Sequence, residues 1–291
     1  MFKFNPKKLI QTERLGRDPK STVHPYQRHP SDLRWVVKHL YAKDSSELIT
    51  LTQNLVLGFS SNHTAVIPVK GYCIQRIKPK GYNIYIKLPR MKDNLCDFIK
   101  RQAEGMKGRP SEEIVIKSLF HLANGLEYLH NRGVAHQNMK PSNILINEDD
   151  EMKLADIGPA SLPKHEVLES GMVLQAESRF YTAPELLNQK GHIKKADKAT
   201  GDVWSLGVVF VEYCLLKQET INPHLNPKGI IVENLLNKVQ KKYSLRLVEI
   251  FRKMLTLDPN QRISAMNLIK ELKEKFGQVL VIFRFFIFNN F

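Results

Sequence analysis

The sequence predicts an α+β chain of two lobes, a small β-rich lobe followed by a larger helical one. Three observations carry this reading. Between residues 33 and 89 the apolar residues come in short runs of β-branched and aromatic types. After Leu95 they recur at helical spacing instead. The length of 291 residues, at about 100–200 per domain, suits one large domain or two close-packed lobes with ample core.

Taken in order, Arg34-Trp35-Val36-Val37-Lys38 reads as the first clear strand. Leu48, Leu51, Leu55 and Val56 then sit at helical spacing and predict one helix over 46–60. Two further strands, Tyr72 to Ile77 and Tyr82 to Leu88, are joined by Lys78-Pro79-Lys80-Gly81, a turn that makes them a hairpin. Leu88 to Asn94 is the expected hinge, and a junction of lobes is the default place for a ligand. Beyond it, Val115, Leu119, Leu122, Leu126 and Leu129 follow a 4-3-4-3 spacing, opened by Pro110-Ser111 and closed by Gly133. Val203 to Leu216 is apolar on almost every side, which a helix tolerates only in the middle of a domain. Leu247, Phe251 and Met254 form another stripe ended by Asp258-Pro259, and Ser264 opens a last helix carrying Leu268, Leu272 and Phe276. The lobes are thus expected at about 15–88 and 95–276, followed by an apolar tail 277–291 without an assigned role, of which Phe283 to Phe288 reads as a disordered extension rather than a membrane anchor.

Apolar residues at 42% and charged residues at 25% exclude a disordered chain, a collagen or a coiled coil. Cys73, Cys96 and Cys214 are an odd number without C-x-x-C spacing, so no disulfide framework or cysteine zinc site is indicated. The first residues lack the apolar run of a secretory signal, and Val279 to Phe288, interrupted by Arg284, falls short of the ~20 residues that span a bilayer. A cytoplasmic location without a transmembrane segment is therefore expected. Lys and Arg outnumber Asp and Glu by 44 to 29, a formal +15 spread along the chain with small clusters at Lys7-Lys8, Lys190 to Lys198 and Lys270 to Lys275. A solvated basic face accounts for this, and an acidic partner or membrane surface is the sharper reading. A nucleic-acid partner would rest on charge alone, since no stretch interleaves aromatic residues with a basic stripe, and the sequence argues against it.

The chemistry concentrates in His136-Gln137-Asn138-Met139-Lys140-Pro141-Ser142-Asn143, which leads into Ile144-Leu145-Ile146. Thirteen residues after Asn143, through the strand Met152-Lys153-Leu154, comes Asp156-Ile157-Gly158. Two short strands would place Asn143 and Asp156 on neighbouring loops. An amide oxygen and a carboxylate converging there make an oxygen-ligand pair for Mg²⁺ on a nucleotide, although either residue alone would read as a turn former.

These segments resemble the protein kinase superfamily over about residues 15 to 276. The catalytic-loop pattern H-R-D-L-x-x-x-N stands as His136 to Asn143, and D-F-G as Asp156-Ile157-Gly158. A-P-E is intact as Ala183-Pro184-Glu185 after Ser178-Arg179-Phe180-Tyr181-Thr182, and Gly201 to Gly207 is similar to the family's central buried helix with its N-terminal Asp. Val36-Val37-Lys38 matches V-A-I-K, and Arg262 matches the arginine that pairs with the A-P-E glutamate. The resemblance implies a two-lobed kinase-like fold using ATP and Mg²⁺. It assigns Lys38 to the α- and β-phosphates, Gly16 and Val23 to the loop over the nucleotide, and Asn143 and Asp156 to the nucleotide's metal. It also implies protein partners or a protein substrate, and Lys140 marks the serine/threonine variant of the loop.

Departures from the pattern fall on the chemistry. Asn138 stands where kinases carry the aspartate that accepts the substrate hydroxyl proton, and a neutral amide has no basic site to take it. Gln137 replaces the arginine that in many kinases pairs with a phosphorylated activation loop, which argues against that control over 156–185. The phosphate-covering segment Leu15 to Val23 keeps only Gly16 and the valine, and Asp18 and Pro19 should weaken phosphate contact. Aligned on His63 to Ile67, the partner of Lys38 falls at Gln53 or Asn54, with Glu47 about two turns earlier on the same face. His130 and His136 sit where the pattern has structural histidines. The expectation is a pseudokinase that binds ATP weakly and acts as scaffold or allosteric regulator. The alternative is a working serine/threonine kinase with an unusual loop.

Overall fold

The computed structural model describes residues 21–26, 34–105, 108–158, 179–188, 195–217 and 229–288. Alternation of side chains sets the first sheet. Strands β1 (Ser21–Tyr26), β2 (Trp35–Ala42), β3 (Gly71–Arg76) and β4 (Tyr82–Pro89) pair antiparallel in the order β1-β2-β4-β3. On β4, Ile84 and Ile86 are buried while Asn83, Tyr85 and Lys87 face the other way and stay half-buried. Ile84, Ile86, Leu40 and Ala42 close a cluster with Leu51 of α1 (Ser45–Ser60). The helix starts where its sequence says it should: Asp44 accepts the Glu47 N–H at 2.9 Å, and Glu47 reaches back to the Lys43 N–H at 2.8 Å.

The chain divides into two compact units with the break between Lys92 and Asp93. In the second, β5 (Asp93–Asn94), β6 (Ile144–Ile146) and β7 (Met152–Leu154) form a small antiparallel sheet in that order. The helices are α2 (Leu95–Glu104), α3 (Glu112–Asn131), α4 (Pro184–Asn188), α5 (Lys195–Leu215), α6 (Ile230–Gln240), α7 (Leu245–Met254) and α8 (Ala265–Phe288). A β-rich first part and a helical second part are thus what the structure shows.

α3 keeps the predicted start and stop, with Ser111 accepting the Ile114 N–H and Gly133, at φ 72°, giving its N–H to the His130 carbonyl. α5 begins at Lys195, earlier than its apolar run suggests, so Asp202 lies within the helix rather than at its head. Val203, Trp204, Leu206, Val209 and Phe210 are fully buried. A Cβ on Gly207 would come within 3.0–3.2 Å of Leu255 and Met254, which lets α5 and α7 approach closely.

α8 corrects the reading of the tail. The helix breaks at Phe276 (φ −133°), just before Gly277, and then continues to Phe288 where disorder was expected. Just past the break Leu280 is buried and Val281 is 58% exposed. Among the described residues no helix is long and apolar enough to cross a membrane.

Candidate active site

The catalytic loop is built on one buried carboxylate. Asp202 of α5 accepts the backbone N–H of His136 and of Gln137, each at 2.7 Å, and His130 Nε2 lies 2.9 Å away. With two amides drawn to one side, Gln137 adopts φ 55°, a left-handed conformation that costs a non-glycine residue about 1–3 kcal/mol. The charge-assisted bonds to Asp202 offset that cost.

Downstream, Asn143 Nδ2 donates to the Asn138 carbonyl at 2.7 Å, while the Asn143 N–H donates to the Lys140 carbonyl at 2.9 Å. Asn138, Lys140 and Asn143 are all buried. With its amide nitrogen bound to the loop, Asn143 has its Oδ1 as the atom left for a metal.

The pairing of Ile144 with Leu154 carries the second loop alongside the first. The Ala155 N–H donates to the Asn143 carbonyl and the Gly158 N–H to the His136 carbonyl, both at 2.9 Å. Asp156, between them, holds φ 57°. Such outliers gather at functional sites, and this one is held by bonds on both sides. The bond from the Ala155 N–H to the Asn143 carbonyl puts Asn143 and Asp156 on adjoining loops, and amide and carboxylate oxygens are donor types that Mg²⁺ takes. A nucleotide's Mg²⁺ would be held here by those two residues.

His136 is completely buried, and burial holds its imidazole below the ordinary 6.5 although Asp202 and Asp156 pull the other way. Its Nδ1 accepts the Asn138 N–H at 3.4 Å, and its Nε2 has no hydrogen-bond partner in the structure. A neutral histidine there is a packing element, in keeping with its sequence reading.

In the first unit Val23 and Lys38 are directly opposite each other across β1 and β2, and Lys38 is opposite Ile86 across β2 and β4. One sheet face thus carries both candidates for the nucleotide. Gly16 and Leu15 to Lys20 lie outside the described residues, as do the side chains of Gln53 and Asn54 and most of 156–185. Glu47 reaches back from the first turn of α1 to the Lys43 N–H, a role its Asp44-Ser45-Ser46-Glu47 spacing announces and the sequence reading passed over. Asp202 was singled out only through the resemblance, and its hold on the loop amides has no local sequence signal.

Behind the loop, Arg262 binds Glu185 through both carboxylate oxygens, at 2.6 and 2.9 Å. The predicted ion pair between the start of α4 and the segment before α8 is in place.

Comparison with known proteins agrees with this arrangement. A family model for the protein kinase domain matches residues 9–272. The chain is 31% identical over 172 residues to CBL-interacting serine/threonine-protein kinase 5 of Arabidopsis thaliana, covering 54% of this chain and 35% of that one. It is 29% identical over 198 residues to the mitogen-activated protein kinase HOG1 of Ustilaginoidea virens, covering 56% and 51%. The matches therefore reach only about a third to a half of each relative's length. The family model, by contrast, takes in nearly the whole chain and every motif just placed, and on that ground the chain belongs to the protein kinase domain family.

Proposed function

We propose that this protein binds Mg²⁺ and ATP but transfers phosphate slowly or not at all, and that it acts as a pseudokinase, a scaffold or allosteric regulator for protein partners. One observation carries the reading. The loop that should present a general base is anchored at each end, by Asp202 and by Asn143, yet holds a neutral amide at Asn138. An amide oxygen has no useful basicity near neutral pH, so the substrate hydroxyl must lose its proton unaided.

Lys38, Val23, Asn143 and Asp156 remain the residues we assign to the nucleotide and its metal, with Lys140 beside the reacting groups and Gly16 in the covering loop. That set supports binding. The erosion of Leu15 to Val23 supports weak binding. A working serine/threonine kinase is the second reading, favoured by the intact anchoring of the loop and by the relatives' names, because phosphoryl transfer depends chiefly on positioning and electrostatics.

Thermal unfolding with ATP, with Mg²⁺ and with both tests the binding half. Stabilisation follows ligand concentration over Kd and reaches about 2.7 kcal/mol only at about 100 times Kd. A small shift requiring both components, and lost in Asp156→Ala, is expected. No shift with both at millimolar concentration, or one indifferent to Asp156→Ala, contradicts the assignment.

A further inference from the structure

Antiparallel register gathers rings that are far apart in sequence onto one face of the first sheet. Tyr26 is opposite Trp35, His39 is opposite Tyr85, and Tyr41 is opposite Asn83. Alternation puts Trp35, His39 and Tyr41 on the side away from Leu40 and Ala42, so this face is not the one that carries Lys38 and Val23.

The rings there are already organised by stacking. His39 lies parallel to Tyr85, with centroids 4.7 Å apart and planes 15° apart, and Lys87 Nζ is 4.3 Å from the Trp35 ring and 5.2 Å from that of Tyr26. Trp35, His39 and Tyr85 are half-buried and Tyr41 is 50% exposed, so each keeps surface open to solvent.

The charge around them is one-sided. Residues 34–92 carry ten lysines and arginines against two acids, Asp44 and Glu47, and both acids serve the N-terminus of α1. Arg34 and Arg90 lie at one end of β2 and β4, tied by an N–H to carbonyl bond of 2.8 Å, and the exposed Lys78 and Lys80 lie in the β3–β4 turn at the other. From Trp35 to Tyr41 the strand runs about 20 Å, with Val37 fully buried between the rings of Trp35 and His39.

We propose that this face binds single-stranded nucleic acid, with bases stacking on Trp35, Tyr85 and Tyr41 and the basic residues at both ends of the sheet holding phosphates. Stacked bases use the rings and the charge together, as single-strand binding surfaces do. An anionic lipid surface or an acidic peptide would use the charge and leave the parallel rings without a purpose. The sequence argued against such a partner because no contiguous stretch shows the pattern. The sheet assembles it from β1, β2 and β4.

The test uses the full chain with labelled oligo(dT), oligo(U) and a duplex of equal length, read by anisotropy from about 50 to 200 mM salt. Binding of single strands is expected, weakening with salt and quenching Trp35 fluorescence; Trp204, fully buried, reports no such contact. Trp35→Ala and Tyr85→Ala should each weaken binding about tenfold. Trp35→Phe should restore it, and thermal unfolding checks that each variant folds. Lys78→Gln with Lys80→Gln should flatten the salt dependence by about one to two ions. No binding, equal affinity for the duplex, or affinity indifferent to loss of the rings in folded variants overturns the proposal. So does tighter binding to phosphatidylserine vesicles or to an acidic peptide than to the oligonucleotides.

Discussion

Arg262 is almost entirely buried, and all five of its N–H donors are taken: two by Glu185 and one each by the carbonyls of Thr200, Thr256 and Leu257. A buried guanidinium is tolerable only because of this complete set, and removing it leaves Glu185 without its counter-charge. Arg262→Ala should therefore cost about 3–5 kcal/mol in urea unfolding, against little for a surface arginine such as Arg101. His136 makes the opposite case, a titratable side chain kept neutral by burial. Its folded-state value lies below the ordinary 6.5, so the unfolded chain binds more protons there, and stability present above pH 6.5 should fall as pH drops below it. The Tm of wild type should decline between about pH 7 and 5 more steeply than that of His136→Phe, and parallel profiles would contradict the assignment.

At the level of elements, caps and periodicity decide what the sequence reveals. α1, α3 and α7 open on Asp44, Ser111 and Ser244, each accepting an N–H from its own first turn, and such residues are readable one helix at a time. Ser244 also shows what is not readable. Its N–H and hydroxyl both donate to Glu112 at 2.6 Å, joining the starts of α3 and α7 across 132 residues. Ser244→Ala should cost about 1–2 kcal/mol by removing the cap and one of these bonds, measured by thermal unfolding with Ser111→Ala as the single-cap reference at about 1 kcal/mol. α5 stood out because it is buried on every side, whereas α2 and α6 were not marked. The continuation of α8 past Phe276 was missed for a related reason: a run of apolar residues carries no period to say whether it is a helix.

Across the whole molecule, the candidate site was legible where chemistry is packed into consecutive residues, as at His136 to Asn143 and Asp156 to Gly158. It was opaque where function depends on distant contacts, as in the grip of Asp202 on the loop amides or the aromatic face assembled by strand register. A well-anchored loop carries an amide at Asn138 where a base is expected. Loss of general-base assistance should slow transfer about 10²–10⁴-fold, and phosphates misplaced by the eroded Leu15 to Val23 loop would add up to about 10²-fold. The direct test is a sensitive phosphotransfer assay comparing wild type, Asn138→Asp and Asp156→Ala on a generic basic protein. Wild-type turnover should lie at least about 10²–10⁴-fold below that of an ordinary kinase, rise in part in Asn138→Asp and vanish in Asp156→Ala. Wild-type turnover near about 1–100 s⁻¹, lost in Asp156→Ala and unimproved by Asn138→Asp, would contradict it.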